Sequence, residues 1–358
     1  MKCDYNVLGL MSGTSLDGLD LACCSFWKEE GRWRFSIDQT SFVAYSPEFG
    51  DRLKNAIELP ALALLQLNNE FGTWLGEQSK QFIEEHQLEI DFISSHGHTV
   101  FHQIDKKLTY QIGAGQHLAN ASGQKVICDF RTLDVALGGQ GAPLVPIGDE
   151  LLFSEYDFCL NLGGISNASF RKDNERVAFD IAPANMLLSH ILKSTGLSFD
   201  DKGELASSGK MIKGLFDELN TLDFYAQPAP KSLGYEWFCD NLAPIITKGN
   251  ERIEDQLHTA VHHIAFQIAQ SLKPNAADQA TLLVTGGGAK NTFLVEAIQQ
   301  HLGNTIQVII PTIDIVDFKE ALVFAFMGVL RIKNEVNSLK SVTGATRDSS
   351  GGVIFNPF

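Results

Sequence analysis

Basic charge is what this chain has least of. Its 28 lysines and arginines face 43 aspartates and glutamates, a formal net charge of −15. Such a field repels phosphate polymers and anionic bilayers, which excludes nucleic acid and acidic membrane surfaces as partners. Small anions stay within reach, because backbone N–H groups outweigh net charge at short range. Cysteine is sparse too. Cys3, Cys23, Cys24, Cys128, Cys159 and Cys239 show no CxxC spacing and lie mostly in apolar runs such as LACCSF and DFCLNL. They read as buried, reduced thiols rather than a disulfide framework. Long apolar runs are missing: none approaches the ~18 residues of a bilayer-spanning helix. Asp4, Asp17 and Asp20 interrupt the only candidate leader. The expectation is a cytoplasmic protein with no membrane partner.

What is present is ordinary globular material, 44% hydrophobic and 20% charged over 358 residues, long enough for about two domains. YNVLGL, LDLACCSF and WRFSIDQTSFVAY alternate in period two and read as three strands. From Leu62 to Ile83 the period becomes helical, with Leu62, Leu65, Phe71, Trp74, Leu75, Phe82 and Ile83 near one stripe. DFISSHG, TYQIG and GQKVICDF follow as strands. Near residue 157 the pattern restarts with DFCLNLGG, SNASFRK and RVAFDIA, then helix–strand alternation to the apolar helix DFKEALVFAFMGVLRIK. The expectation is a twofold α/β architecture with a cleft between the halves.

Three glycine-rich turns follow buried strands: MSGTSLDG, NLGGISN and TGGGAKN. Glycines let a backbone approach a ligand and aim several N–H groups at one anion. None matches GxxxxGK[ST], and no GxGxxG sits correctly for a dinucleotide. Asp17 and Asp20 suit a magnesium ion bound partly through water, and Asp17 equally suits a turn cap. Asp180 ends the apolar strand VAFDIA, where a carboxylate is costly to bury unless hydrogen-bonded. It is placed either for catalysis at a strand end or as the cap of the helix after Pro183. In CDFRTLDVALGGQGAPLVP, Arg131 suits an oxygen-rich ligand, or pairs with Asp134 in a hinge. His96 and His98 alternate onto one strand face as zinc ligands do, and His258 and His262 lie four apart on a helix without an intervening HExxH.

MSGTSLDGLD, SSHGHTVFH, DFRTLDVALGGQGAPLVP, NLGGISN, FDIAPANMLL, DDKGELASSG, PAPKSLG, TGGGAKN, FKEALVFAFMGVL and TGATRDSSGG occur in this order over nearly the whole chain. Together they resemble the anhydro-N-acetylmuramic acid kinase family of the actin, sugar-kinase and Hsp70 superfamily. The resemblance implies two ribonuclease-H-like domains, residues 1–133 plus 340–358 and residues 134–339, flanking a central cleft that takes ATP and Mg2+. By motif position, Gly13, Thr14, Ser15, Leu16, Asp17, Gly18, Leu19 and Asp20 form the first nucleotide segment, with Asp17 as the metal-binding carboxylate. Gly163, Gly164 and Asn167 form a second phosphate hairpin, and Gly286, Gly287, Gly288 and Asn291 the nucleoside side. Asp180 becomes the base, while Arg131, Asp134, Gln140 and Glu320 hold an amino sugar. The family resemblance also implies a homodimer acting in cell-wall recycling. This chain has His98 where the family usually has Gln, and APAN and Ser189 where it often has GPGN and Asp; it also lacks a glycine near Ile315. These departures are expected on the sugar side, and they leave open a related amino or anhydro sugar, or a non-catalytic sensor.

Overall fold

The computed structural model describes residues 3–13, 16–248 and 251–357; Thr14 and Ser15 of the first glycine-rich turn lie outside them. The chain forms two compact units, Met1–Leu152 with Phe318–Phe358, and Phe153–Asp317.

The first unit opens as the alternation requires. Strands β1 (Tyr5–Met11), β2 (Gly18–Glu29) and β3 (Arg32–Ala44) form an antiparallel meander. The chain then crosses over through the helix Ala61–Glu85 to β4 (Phe92–Ser95), which pairs parallel with β1. A separate two-stranded ribbon, β5 (His98–Gln103) with β6 (Leu108–Ile112), precedes β7 (Val126–Cys128), parallel to β4. The last strand, Val353–Phe355, closes the sheet antiparallel to β7. Leu64, Leu67, Phe71, Leu75 and Phe82 are the helix's buried stripe, whereas Leu62 and Leu65 point to solvent at 71% and 54% exposure. The expected stripe was therefore off at its start, where Leu64 and Leu67 are buried in place of Leu62 and Leu65.

The second unit repeats the plan. Strands β8 (Phe158–Leu162), β9 (Ile165–Lys172) and β10 (Glu175–Pro183) form a meander, and β11 (Ala280–Thr285) and β12 (Ile306–Ile309) add in parallel beyond β8. Each meander thus runs third, second, first, with a fourth and a fifth strand added parallel to the first. This is the ribonuclease-H-like order, present twice. The helix Ile253–Leu272 covers the second sheet with a continuous apolar face that includes Leu257, Val261, Ile264 and Ile268. The segment between Leu192 and Ile253, read in the sequence only as polar, holds short helices such as Lys213–Asn220 and Ala243–Thr247.

The joins expected at 133/134 and 339/340 differ from the compact units. Pro146–Leu151 and the second part of the helix Ile313–Ile332 belong to the first unit because they pack on one another and on its sheet. A Cβ at Gly148 would strike Val323, and one at Gly9 would strike the Ala321 carbonyl, so glycine at both places sets the close approach.

Candidate active site

The first glycine-rich turn joins β1 to β2. Leu16 takes a left-handed φ of 58°, and its N–H reaches back to the Gly13 carbonyl at 3.5 Å. Asp17 is exposed and Asp20 half-buried. Leu19 points into the core, which leaves only its backbone for a ligand. A Cβ at Gly18 would collide with the Val43 carbonyl. Ser12, buried at the start of the turn, accepts a hydrogen bond from the Tyr45 hydroxyl at 2.7 Å and lies 3.2 Å from His98 Nδ1.

Arg131, after β7, is gripped on three sides. Its Nε and Nη2 donate to His96 Nε2 at 3.0 and 2.9 Å, and its Nη1 donates to the Gly141 carbonyl at 2.6 Å. His96 Nδ1 in turn donates to the Gly97 carbonyl at 2.9 Å, which fixes the neutral tautomer. Burial, then the Arg131 charge, hold the His96 imidazole well below its ordinary range, against backbone hydrogen bonding to Gly97 that pulls upward. Burial draws the Arg131 guanidinium down to about 10, opposed by Glu320 and then Asp134. Glu320 is pushed up by burial and pulled back by Arg131 and Lys319. Among the described residues the Glu320 carboxylate has no hydrogen-bond partner, and the charges that act on it are those of Arg131 and Lys319.

Asp134 is committed elsewhere. Its Oδ1 accepts from Ser338 Oγ at 2.9 Å and Thr343 Oγ1 at 2.7 Å, and its Oδ2 from the Gly141 N–H at 2.7 Å. It is 1% exposed. The expected hinge pair is thus replaced by two separate anchors that converge on Gly141, one on its carbonyl and one on its amide. Gln140 is exposed, with its N–H held by the Thr343 carbonyl at 2.9 Å. A buried ion pair, Lys319 with Asp149 at 2.6 Å, stands beside Glu320 in sequence. It carries no sequence signature beyond two charges in apolar surroundings.

Alternation past the expected strand DFISSHG was expected to put His96 and His98 on one strand face. Gly97, at φ 74°, breaks it after Ser95, and the two rings turn to different partners, Arg131 and Ser12. Among the described residues no group of three or more His, Cys, Asp or Glu could hold a metal. His98, whose departure from the family pattern was expected on the sugar side, has its ring Nδ1 3.2 Å from Ser12 Oγ.

In the second unit, Asn161, Asn167 and Asp180 stand opposite one another across β8, β9 and β10. Beside this row the glycine turns form one exposed backbone edge. Gly164 and Gly287 are exposed with almost open space where a Cβ would stand. Gly286 (φ 82°) and Gly288 turn inward against Asn161, Leu162 and Asn185, which locks TGGG onto the hairpin. Asn185 donates from its N–H to Gly163 at 3.1 Å and from its side chain to Leu162 at 3.1 Å. Asn291 caps Thr292–Leu302, accepting from the Leu294 N–H at 3.0 Å.

Asp180 sits where β10 bulges before Ala182. Its N–H donates to the Lys231 carbonyl at 3.0 Å, and its Oδ2 accepts from the Leu233 N–H at 2.8 Å. PAPKSLG therefore runs alongside the strand end. Asp180 does not cap the following helix, whose N-cap position is Ala184 with no side-chain bond. Among the described residues, Oδ1 has no hydrogen-bond partner. Burial raises the carboxyl pKa, and the Leu233 N–H opposes the rise. The arrangement is that of a carboxylate poised to take a proton.

The family model described as anhydro-N-acetylmuramic acid kinase matches residues 5–357. The chain is 35% identical to the anhydro-N-acetylmuramic acid kinase of Haemophilus influenzae, covering 99% of this chain and 98% of that one. It is 34% identical to that of Aliivibrio fischeri, covering 97% and 98%. Among solved structures it is similar to an activator of 2-hydroxyisocaproyl-CoA dehydratase from Clostridium difficile, at 13% identity, a TM-score of 0.45 and coverage of 92% and 97%. The chain belongs to the anhydro-N-acetylmuramic acid kinase family, a family of phosphotransferases.

Proposed function

We propose, with that membership as premise, that the chain is an ATP-dependent kinase acting on anhydro-N-acetylmuramic acid. It opens the 1,6-anhydro ring and phosphorylates O6, giving N-acetylmuramic acid 6-phosphate in cell-wall recycling. The observation that carries the reading is Asp180, held by a single hydrogen bond with its other oxygen unengaged among the described residues.

A 1,6-anhydro sugar has no free 6-hydroxyl, because O6 closes the ring onto the anomeric carbon. A base therefore has no sugar proton to remove, and the reaction needs water. Asp180 takes a proton from water as its oxygen bonds to the anomeric carbon. The bond from that carbon to O6 breaks, O6 bonds to the γ-phosphorus of ATP, and ADP leaves with the electrons of the broken phosphorus–oxygen bond. General-base assistance of this kind contributes roughly 10²–10⁴-fold. The oxocarbenium character at the anomeric carbon also favours a nearby carboxylate.

The exposed backbone of Gly164 fits an approaching phosphate, with Gly163 and Asn167 in the same hairpin, and the exposed backbone of Gly287, with Gly286, Gly288 and Asn291, fits the nucleoside side. Asp17 and Asp20 offer hard oxygen donors that fit Mg2+, with water and phosphate oxygens completing the shell. Magnesium, when bound, supplies charge neutralisation at the transferring phosphoryl group. Arg131 and Glu320 hold the sugar, and Asp134 and Gln140 shape the loop that presents them. No helix among the described residues is long and apolar enough to cross a membrane, in keeping with a cytoplasmic enzyme. From the family resemblance we propose a homodimer, which sedimentation tests.

The deciding experiment is NMR-monitored incubation with ATP, Mg2+ and 1,6-anhydro-N-acetylmuramic acid in ¹⁸O-labelled water. A 6-phosphate carrying ¹⁸O at the anomeric carbon is expected. Absence of product with ATP binding intact overturns the sugar assignment.

A further inference from the structure

We infer that Tyr45 and His98 are positioning residues for the first glycine-rich turn, acting on it through the hydroxyl of Ser12. The inference rests on the reading that Gly13–Asp20 faces the phosphates of ATP.

Tyr45 follows directly on β3 and grips the turn twice. Its hydroxyl donates to Ser12 Oγ at 2.7 Å, and its N–H donates to the Asp17 carbonyl at 3.0 Å. One residue therefore ties the first residue between β1 and β2 to the last. Since Ser12 Oγ accepts the phenol proton, its own proton is free for His98 Nδ1, 3.2 Å away on the far side. That makes His98 the acceptor and leaves its ring proton on Nε2.

All three groups are buried, with 2% of Ser12, 8% of Tyr45 and 4% of His98 exposed. Water cannot substitute for a missing partner there, and each bond polarises the next. Burial keeps the phenol protonated and holds the imidazole neutral, down at about 4, so both keep these roles at neutral pH. The rings cannot swing away. Tyr45 packs on Trp74 at 5.3 Å and Phe49 at 5.8 Å, and Phe71 meets His98 edge-on at 6.4 Å. A turn meant to present backbone N–H groups to phosphate needs its ends fixed beforehand, because ordering them on binding would cost affinity.

The test compares Tyr45→Phe, His98→Ala and His98→Gln with the wild type in the full-length chain. Each is measured for kcat, KM for ATP, KM for the sugar and melting temperature. Tyr45→Phe keeps the ring and the backbone bond to Asp17, so it isolates the hydroxyl. Tyr45→Phe and His98→Ala are expected to raise KM for ATP about tenfold, the size of one lost buried hydrogen bond, and to leave KM for the sugar unchanged. His98→Gln offers Ser12 an amide acceptor and is expected to restore most of the ATP KM. A purely structural role would lower melting temperature and active fraction without moving the ATP KM of the folded enzyme, and that result overturns the inference. Loss of ATP-dependent turnover in the wild type itself would overturn the parent reading, which separates the two failures.

Discussion

Asp134, in the short helix Thr132–Ala136 that follows β7 in the first unit, and Asp180, near the end of β10 in the second, are aspartates in opposite surroundings. Asp134 accepts three hydrogen bonds and is 1% exposed. Asp180 accepts one and is only half-buried. A carboxylate saturated with donors is a strut, since every lone pair that matters is spent on the chain itself. A carboxylate with one donor keeps an oxygen for a proton, and partial burial pushes its pKa toward the working range. Under the proposed function, two units of one strand order spend the same residue type on scaffold in one and on chemistry in the other.

The largest test of this contrast is Asp180→Asn. It is expected to lower kcat by roughly 10³-fold, within the general-base range, while nucleotide binding measured by titration is unchanged. Turnover retained near wild type would remove Asp180 from the base role and with it the contrast.

Asp134→Ala should act on stability instead. It leaves the Ser338 hydroxyl and the Gly141 N–H without an acceptor in the first unit, and the Thr343 hydroxyl with only the Leu339 carbonyl at 3.3 Å. Each buried orphan costs ~1–3 kcal/mol, so a loss of about 3 kcal/mol in denaturant unfolding is expected. The folded fraction should retain its ATP KM. A neutral effect on unfolding would show that the cluster is not a strut.

The fold was legible because both meanders alternate in period two and each has a glycine-rich turn between its first two strands, so YNVLGL and DFCLNL announced the same unit twice. Asp180 was legible too, as a charge at the end of an apolar strand. The partners were not. Nothing in the sequence links Asp134 to Ser338 and Thr343, some two hundred residues away, or turns His96 toward Arg131. Those contacts follow from the crossover order of the sheet and from Gly97, whose left-handed backbone splits an apparent single strand. The polar stretch after Leu192 was illegible for another reason: its helices are too short to show a period.

His96 probes whether the first unit's cluster is scaffold alone. Its Nε2 accepts from two nitrogens of Arg131, so His96→Ala leaves the guanidinium held only by Gly141. If Arg131 binds the sugar, KM for the sugar should rise about tenfold, equivalent to one lost hydrogen bond, with KM for ATP unmoved. A fall in melting temperature with both KM values unchanged would make His96 and Arg131 part of the strut.

The smallest effect carries the contrast to its sharpest form, because one exchange, carboxylate to amide, should have opposite signs in the two units. Asp134→Asn destabilises, since the amide nitrogen cannot accept from the donors that face it. Asp180→Asn removes a partly desolvated charge while its side-chain oxygen still accepts from the Leu233 N–H, so it should stabilise by ~0.5–1 kcal/mol at neutral pH. The pH dependence fixes the cause. The folded carboxyl of Asp180 is raised above the ordinary value of 3.8, so between that value and its own pKa the folded chain binds the proton that the unfolded chain has lost. Wild-type stability relative to Asp180→Asn therefore falls as pH rises through this window and levels off above it. As pH drops to 3.8 and below, the advantage of the amide should vanish. An advantage constant across pH would mean that the gain came from packing or from the denatured chain, and that the Asp180 carboxylate is not held at a cost.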